Sequence, residues 1–152
     1  MGIEGVMKVP GGESRIESVK NALRTIDEEG TVFIHDAARP FVSPELIGRG
    51  ASAIASGCGA VPVVPLADSI RHLTADGSES VPRSEYVAVQ TPQVFRSEDI
   101  KAAYFNLENE EGLTDDASVA ELYGIQINLF DGEPSNIKIT TPADIDRFTD
   151  HR

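Results

Sequence analysis

The chain is predicted to be an α/β domain with a central sheet between helical layers, and three observations carry the prediction. Short apolar runs alternate with amphipathic helical stretches, the helical stretches open on capping residues, and Gly or Pro bounds the runs. Ser14 followed by Glu17 reads as a capping box, after which Ile16, Val19, Leu23 and Ile26 recur at helical spacing until Gly30. Thr31 to His35 is a β-branched and aromatic run that suits a strand buried on both faces. Ser43-Pro44-Glu45 combines a cap, a first-turn proline and an early acid, and Leu46, Ile47, Ala51 and Ile54 continue that helix towards Gly57. Ala60 to Val64 is a second short strand ending at Pro65. Helix, strand, helix, strand in this order predicts parallel strands joined by right-handed crossovers.

The stretch 69–89 breaks the alternation. SIRHLT, the turn-like Ala75-Asp76-Gly77 and a polar return to YVAV predict a hairpin arm. Ser97 is expected to cap a helix carrying Ile100, Tyr104 and Leu107, and Thr114 another with Asp115 and Asp116 in its first turn. After Gly124, IQINLF and NIKIT read as two short strands, and Thr141-Pro142-Ala143-Asp144 opens a last helix. There are no internal repeats or linkers, so residues 1–152 are read as one domain with the arm at 69–89.

A net charge of −12 argues against a nucleic-acid or anionic-membrane surface, because either needs a concentrated basic face. Any phosphate ligand must therefore meet basic residues gathered locally, and Arg15, Arg39, Arg71, Arg83 and Lys138 stand near turns or strand ends. Cys58 is the single cysteine, which points to a reducing cytoplasm and reads as a packed residue rather than a nucleophile. MGIEGVMKVPGG lacks the basic and apolar regions of a secretory signal. His35, His72 and His151 show no metal-ligand spacing, and there is no serine nucleophile elbow, Walker A loop or GxGxxG.

Five strand-end or turn segments could carry chemistry. In HDAARP, Asp36 suits a metal ion or ribose hydroxyls, Ala37 and Ala38 allow close approach to the backbone, and Arg39 offers a fork for phosphate. A strand-to-loop transition with a surface ion pair explains the same residues equally well. Gly11 to Arg15 places amides before a capped helix, though a plain turn does so too. Gln90-Thr91-Pro92-Gln93 holds a hydroxyl and two amides in a stiff turn. Asp115 and Asp116 suit either a divalent cation or simple capping. Asn136, Lys138 and Thr140 share one face of a strand whose Ile137 and Ile139 face the core.

The ordered series GGESRIESV, HDAARPFV, PLADSI, PRSEYVAVQTPQVF, LTDDASV and NIKITTPAD resembles the 2-C-methyl-D-erythritol 4-phosphate cytidylyltransferase family, from about Gly11 to Asp146. The resemblance implies a Rossmann-like nucleotidyltransferase fold, a three-layer α/β/α domain with a β-hairpin dimerisation arm. It implies transfer of CMP from CTP to a sugar-alcohol phosphate in non-mevalonate isoprenoid synthesis, with Mg²⁺ as the divalent cation. By the same resemblance Gly12, Glu13 and Ser18 match positions that read the cytosine base. Asp36 and Ala37 match the ribose and phosphate side, with Asp36 near Mg²⁺. Arg83 and Lys138 match the catalytic basic residues that position methylerythritol phosphate. Arg39, Ser69, Thr91 and Thr114 match further substrate-pocket positions, Ser69 standing where the family commonly has threonine. The arm implies a homodimer with shared active sites.

The family begins with a strand and a glycine-rich basic loop that wraps the triphosphate, and Met1 to Pro10 holds one lysine and no such motif. The chain is therefore expected to be N-terminally truncated and to have little cytidylyltransferase activity alone. A ribitol 5-phosphate cytidylyltransferase is the near alternative, against which Ala38, Asp115 and Asp116 speak. A non-catalytic binding or dimerisation fragment is the alternative from another class.

Overall fold

The computed structural model describes residues 5–55 and 57–149, leaving His151 and the first four residues of the N-terminal stretch outside the described part. Chain order runs α1 (Arg15–Leu23), β1 (Thr31–Ile34), α2 (Pro44–Ala53), β2 (Cys58–Pro65), β3 (Arg71–Thr74) and β4 (Gly77–Ser80). A 3₁₀ turn (Arg83–Glu85), β5 (Val87–Val89), β6 (Gln93–Arg96), α3 (Ser97–Phe105), α4 (Asp116–Leu122), β7 (Gln126–Asp131) and α5 (Pro142–Thr149) follow.

The central sheet has the order β1-β6-β2-β5, with β7 parallel to β2. Both β1 and β2 pair antiparallel with β6, so they run parallel to each other as the alternation predicts, yet they are not neighbours. An antiparallel strand from 60 residues further along has been inserted between them. Local helix-strand periodicity carries no information on that insertion.

Alternation along the strands builds the layers. Phe95 of β6, with Val32 and Ile34 of β1, joins Ile16, Leu23, Ile100, Tyr104, Val119 and Ala120 in a core under α1, α3 and α4. The opposite face receives α2, whose Leu46 is fully buried and whose Gly50 passes close to Val94, Phe33 and Phe130. This is the α/β/α arrangement of the sequence reading.

Capping follows the sequence in some places and moves in others. Ser14 accepts from the Glu17 amide at 3.0 Å and Ser43 from the Leu46 amide at 2.9 Å, as expected. The cap of α4 is Asp115 rather than Thr114, because Asp115 and Ser118 exchange bonds in a capping box. Ser97 opens α3 but does not cap it: its buried hydroxyl instead accepts from the Gly30 amide at 3.0 Å, tying the start of β1 to the end of β6. IQINLF is β7, whereas NIKIT is not a strand.

The arm is a separate two-stranded sheet of β3 and β4 joined by a two-residue turn, every residue of both strands being exposed. Val87–Val89 rejoin the central sheet against β2.

Gly59 sits in β2 where a Cβ would lie 2.4 Å from the Phe95 ring and 2.9 Å from Ile127. Gly59→Ala should therefore cost about 1–3 kcal/mol through overpacking, read as a lower denaturant midpoint at unchanged slope.

Candidate active site

Where β1 ends, the chain turns sharply: the Arg39 amide donates to the Asp36 carbonyl at 2.9 Å. Thr91, from the turn between β5 and β6, lies against this bend and is only 4% exposed. Its hydroxyl accepts from the Asp36 amide at 3.0 Å and lies 3.0 Å from His35 Nδ1, while His35 Nε2 lies 2.9 Å from the Arg39 carbonyl. The Thr91 hydroxyl is thus engaged within the protein.

Three cations converge on the Asp36 carboxylate. Lys138 Nζ is 3.0 Å away, and Arg15 and Arg39 each approach to 3.7 Å. Burial pushes the Asp36 carboxyl up, but the Lys138 bond and the charges of Lys138, Arg15 and Arg39 outweigh it and hold it below the usual range. Arg39 Nε is buried with no hydrogen-bond partner, so one donor of this cluster is unspent.

Arg15 is held from behind. Two of its guanidinium nitrogens donate to the two oxygens of Asp116 at 2.9 and 2.7 Å, and the buried Tyr104 hydroxyl donates to the same carboxylate. The Asp116 bond keeps the guanidinium charged against its own burial, and burial together with Asp116 pushes the Tyr104 phenol up, so it stays a donor. Gln93, fully buried, donates to Asp115 at 2.8 Å and accepts from the Ala117 amide at 2.7 Å, fixing the start of α4 against β6.

Lys138 is delivered by a segment without strand pairing, which explains the failure of the NIKIT prediction. The Gln90 side chain takes the place of a ladder partner: it donates to the Glu133 carbonyl at 2.8 Å and accepts from the Glu133 amide at 3.1 Å. Buried Asn136 donates to the Thr91 carbonyl at 2.8 Å, and its own carbonyl accepts from Arg39 at 2.8 Å. The Ile139 amide closes on the Ala38 carbonyl at 2.8 Å. Side-chain amides supply bonds that a sequence pattern reads as a strand's.

Together these residues enclose a cleft of about 210 Å³ lined by Arg15, Asp36, Arg39, Thr91, Thr114 and Lys138, with Gln90 and Asp115. Beside it, a groove of about 440 Å³ runs between α1 and β1, and Ser18, Asp36 and Ala37 line it. Gly12 and Glu13 stand at the start of α1. The Gly12 amide donates to Ser18 at 2.9 Å, and a Cβ there would lie 2.4 Å from Glu17. Ser69 and Arg83 do not line the cleft: both are exposed at the root of the arm, where Arg83 donates to the Ala67 carbonyl. Sequence reasoning left Asp116 as a cap and Tyr104 as a core residue, and missed their grip on Arg15. Arg15 and Asp116 stand 101 positions apart, which leaves no local signal.

The residues present do not fit a divalent cation held by the protein alone. Among the described residues no three of His, Cys, Asp and Glu gather, and Asp36 already faces three cations. Asp115 caps α4 and Asp116 neutralises Arg15.

The family model for 2-C-methyl-D-erythritol 4-phosphate cytidylyltransferase matches residues 2–148. The chain belongs to the 2-C-methyl-D-erythritol 4-phosphate cytidylyltransferase family. A relative of that name from Phocaeicola vulgatus is 47% identical over 135 residues, covering 89% of this chain and 61% of the relative. The chain thus spans about three fifths of the length of the curated cytidylyltransferases first matched. The crystal structure of the Thermus thermophilus cytidylyltransferase superposes with a TM-score of 0.78 at 34% identity, covering 90% of this chain and 68% of that one. The 4-diphosphocytidyl-2C-methyl-D-erythritol synthase of Anaerococcus prevotii gives 0.82 at 31% identity, covering 90% and 63%.

Asp116→Ala should leave the Tyr104 hydroxyl unpartnered and Arg15 with only its longer contact to Asp36, and cost about 1–3 kcal/mol, whereas Tyr104→Phe should cost about 1 kcal/mol, both read by chemical denaturation. Because the Asp36 carboxyl is depressed in the fold, its stabilising contribution is complete above the free-aspartate range near pH 4 and is lost as pH falls through its lower folded value. The difference in thermal midpoint between the wild type and Asp36→Asn should accordingly hold constant from pH 8 to about 5 and shrink only at stronger acidity.

Proposed function

We propose that this protein acts as a methylerythritol phosphate cytidylyltransferase, joining CTP and 2-C-methyl-D-erythritol 4-phosphate to give the CDP-alcohol and pyrophosphate. The observation that carries the reading is the convergence of Lys138, Arg15 and Arg39 on one carboxylate in a chain of net charge −12. Cations concentrated this way against the bulk charge suit phosphate groups.

In the reaction a phosphate oxygen of the acceptor attacks the α-phosphorus of CTP, an oxygen–phosphorus bond forms in line, and the bond to pyrophosphate breaks. No covalent help from a side chain is required, only alignment and charge neutralisation. In this reading Lys138 and Arg39 draw the acceptor phosphate into the cleft, Asp36 keeping the two cations together until it arrives. Asp36 and Ala37, where the cleft meets the groove, take the ribose and phosphate side, and Gly12, Glu13 and Ser18 take the cytosine. Thr114 borders the acceptor, while Thr91 serves through the Asp36 amide. A divalent cation, Mg²⁺ in this reading, supplies charge neutralisation when it comes with the nucleotide phosphates.

Arg83 and Ser69 enter through assembly. A two-stranded hairpin with every residue exposed, including Leu73 at 79%, lacks a core of its own and is marginal until covered. In this reading two copies form a homodimer in which each arm brings Arg83 and Ser69 to the other's cleft. Neither nucleic acid nor a membrane has a part, and no helix among the described residues is long and apolar enough to cross a bilayer. The cytoplasm, where CTP is available, is the proposed site of action.

Calorimetry with methylerythritol phosphate and with Mg·CTP, followed by a pyrophosphate-release assay, tests the reading. Binding is expected for both ligands, with Lys138→Ala weakening the acceptor by about tenfold or more, as for loss of a charged hydrogen bond. Absence of binding by either ligand, or tighter binding of ribitol 5-phosphate, would overturn it.

A further inference from the structure

Neither the family resemblance nor the proposed chemistry gives His35 a task, although it opens the bend that carries Asp36 and Arg39. Both of its ring nitrogens are engaged: Nε2 with the Arg39 carbonyl at 2.9 Å and Nδ1 with the Thr91 hydroxyl at 3.0 Å. A carbonyl can only accept, so Nε2 carries a proton. The Thr91 oxygen receives the Asp36 amide at 3.0 Å, which leaves its own proton free to be donated to Nδ1. Every donor in this circuit then meets one acceptor: Asp36 amide to Thr91, Thr91 to His35, His35 to the Arg39 carbonyl.

We propose that His35 is a positioning residue of the cleft, an Nε2–H imidazole that clasps the two ends of the Asp36–Arg39 bend and locks them to Thr91. Its ring spans the bend that the Arg39 amide closes on the Asp36 carbonyl from the inside. It thereby sets the direction of two side chains at once: the carboxylate that gathers the cations and the guanidinium that carries the unspent donor. Remote segments depend on the same clasp. The Thr91 carbonyl accepts from Asn136, and the Asn136 carbonyl from Arg39, so the segment bearing Lys138 is seated on residues that His35 holds. His35 touches none of the reacting atoms of the proposed reaction, and its effect on ligand rests on the cytidylyltransferase reading.

Two-bond ¹H–¹⁵N correlation NMR of the whole chain at neutral pH, with amide exchange of Asp36, tests the clasp without any ligand. A single Nε2–H tautomer is expected for His35. Asp36 amide exchange should rise about tenfold or more in His35→Ala, in His35→Gln and in Thr91→Val, and Thr91→Ser should restore both signatures, as a purely space-filling role would not. In the same variants Mg·CTP affinity should fall by about tenfold. Mixed tautomers in the wild type, or unchanged Asp36 exchange in whichever His35 variant folds, overturns the proposal. If the wild type binds no nucleotide, the cytidylyltransferase reading falls, and tautomer and exchange still decide the role of His35.

Discussion

One carboxylate organises this molecule. Asp36 draws together a lysine from beyond the last strand, an arginine from the first helix and an arginine from its own bend. In water such pairs contribute little, but here the carboxylate is mostly screened from solvent, and each arginine has a second partner while the lysine's segment is held in place. Arg15 is gripped by Asp116, Arg39 by the Asn136 carbonyl, and the segment of Lys138 by Gln90 and Asn136. The helices, strands and turns around the cleft serve mainly to bring these braces within reach.

The bracing is built from neutral amides and hydroxyls wherever the chain leaves regular structure. Gln90 substitutes for a missing strand partner, Gln93 anchors the start of α4, and Ser97 fastens β1 to β6. Such groups satisfy buried backbone donors and acceptors without adding charge, so the positive character of the cleft is left to the three cations.

What could be read from the sequence follows the range of the interactions involved. Elements with a local signature were legible: the caps at Ser14 and Ser43, the apolar stripes of α1 and α2, and the hairpin turn at Ala75-Asp76. Asp36 and Arg39 were legible because they follow the end of β1 beside a turn, whereas Lys138 was singled out on a strand that does not form. Placement of β6 between β1 and β2, the grip of Asp116 on Arg15 and the seating of NIKIT by side-chain amides were not, since each depends on partners far apart in the chain. Thr114 and Ser97 mark a finer loss. Several hydroxyls and carboxylates compete for one helix end, and tertiary partners choose among them.

The position of β6 in the sheet also governs when this site comes into being. Asp36 is made well before its partners: β1 has no partner among the described strands until β6 has been made, and the carboxylate meets Lys138 only after about 40 further residues. A cleft assembled from such long-range pairings forms late and as a unit, because loop closure must precede every contact that rewards it. The same order in reverse makes the segment 132–140 the natural first point of release: it is seated by a few hydrogen bonds rather than by strand pairing, and with it goes the nearest cation on Asp36.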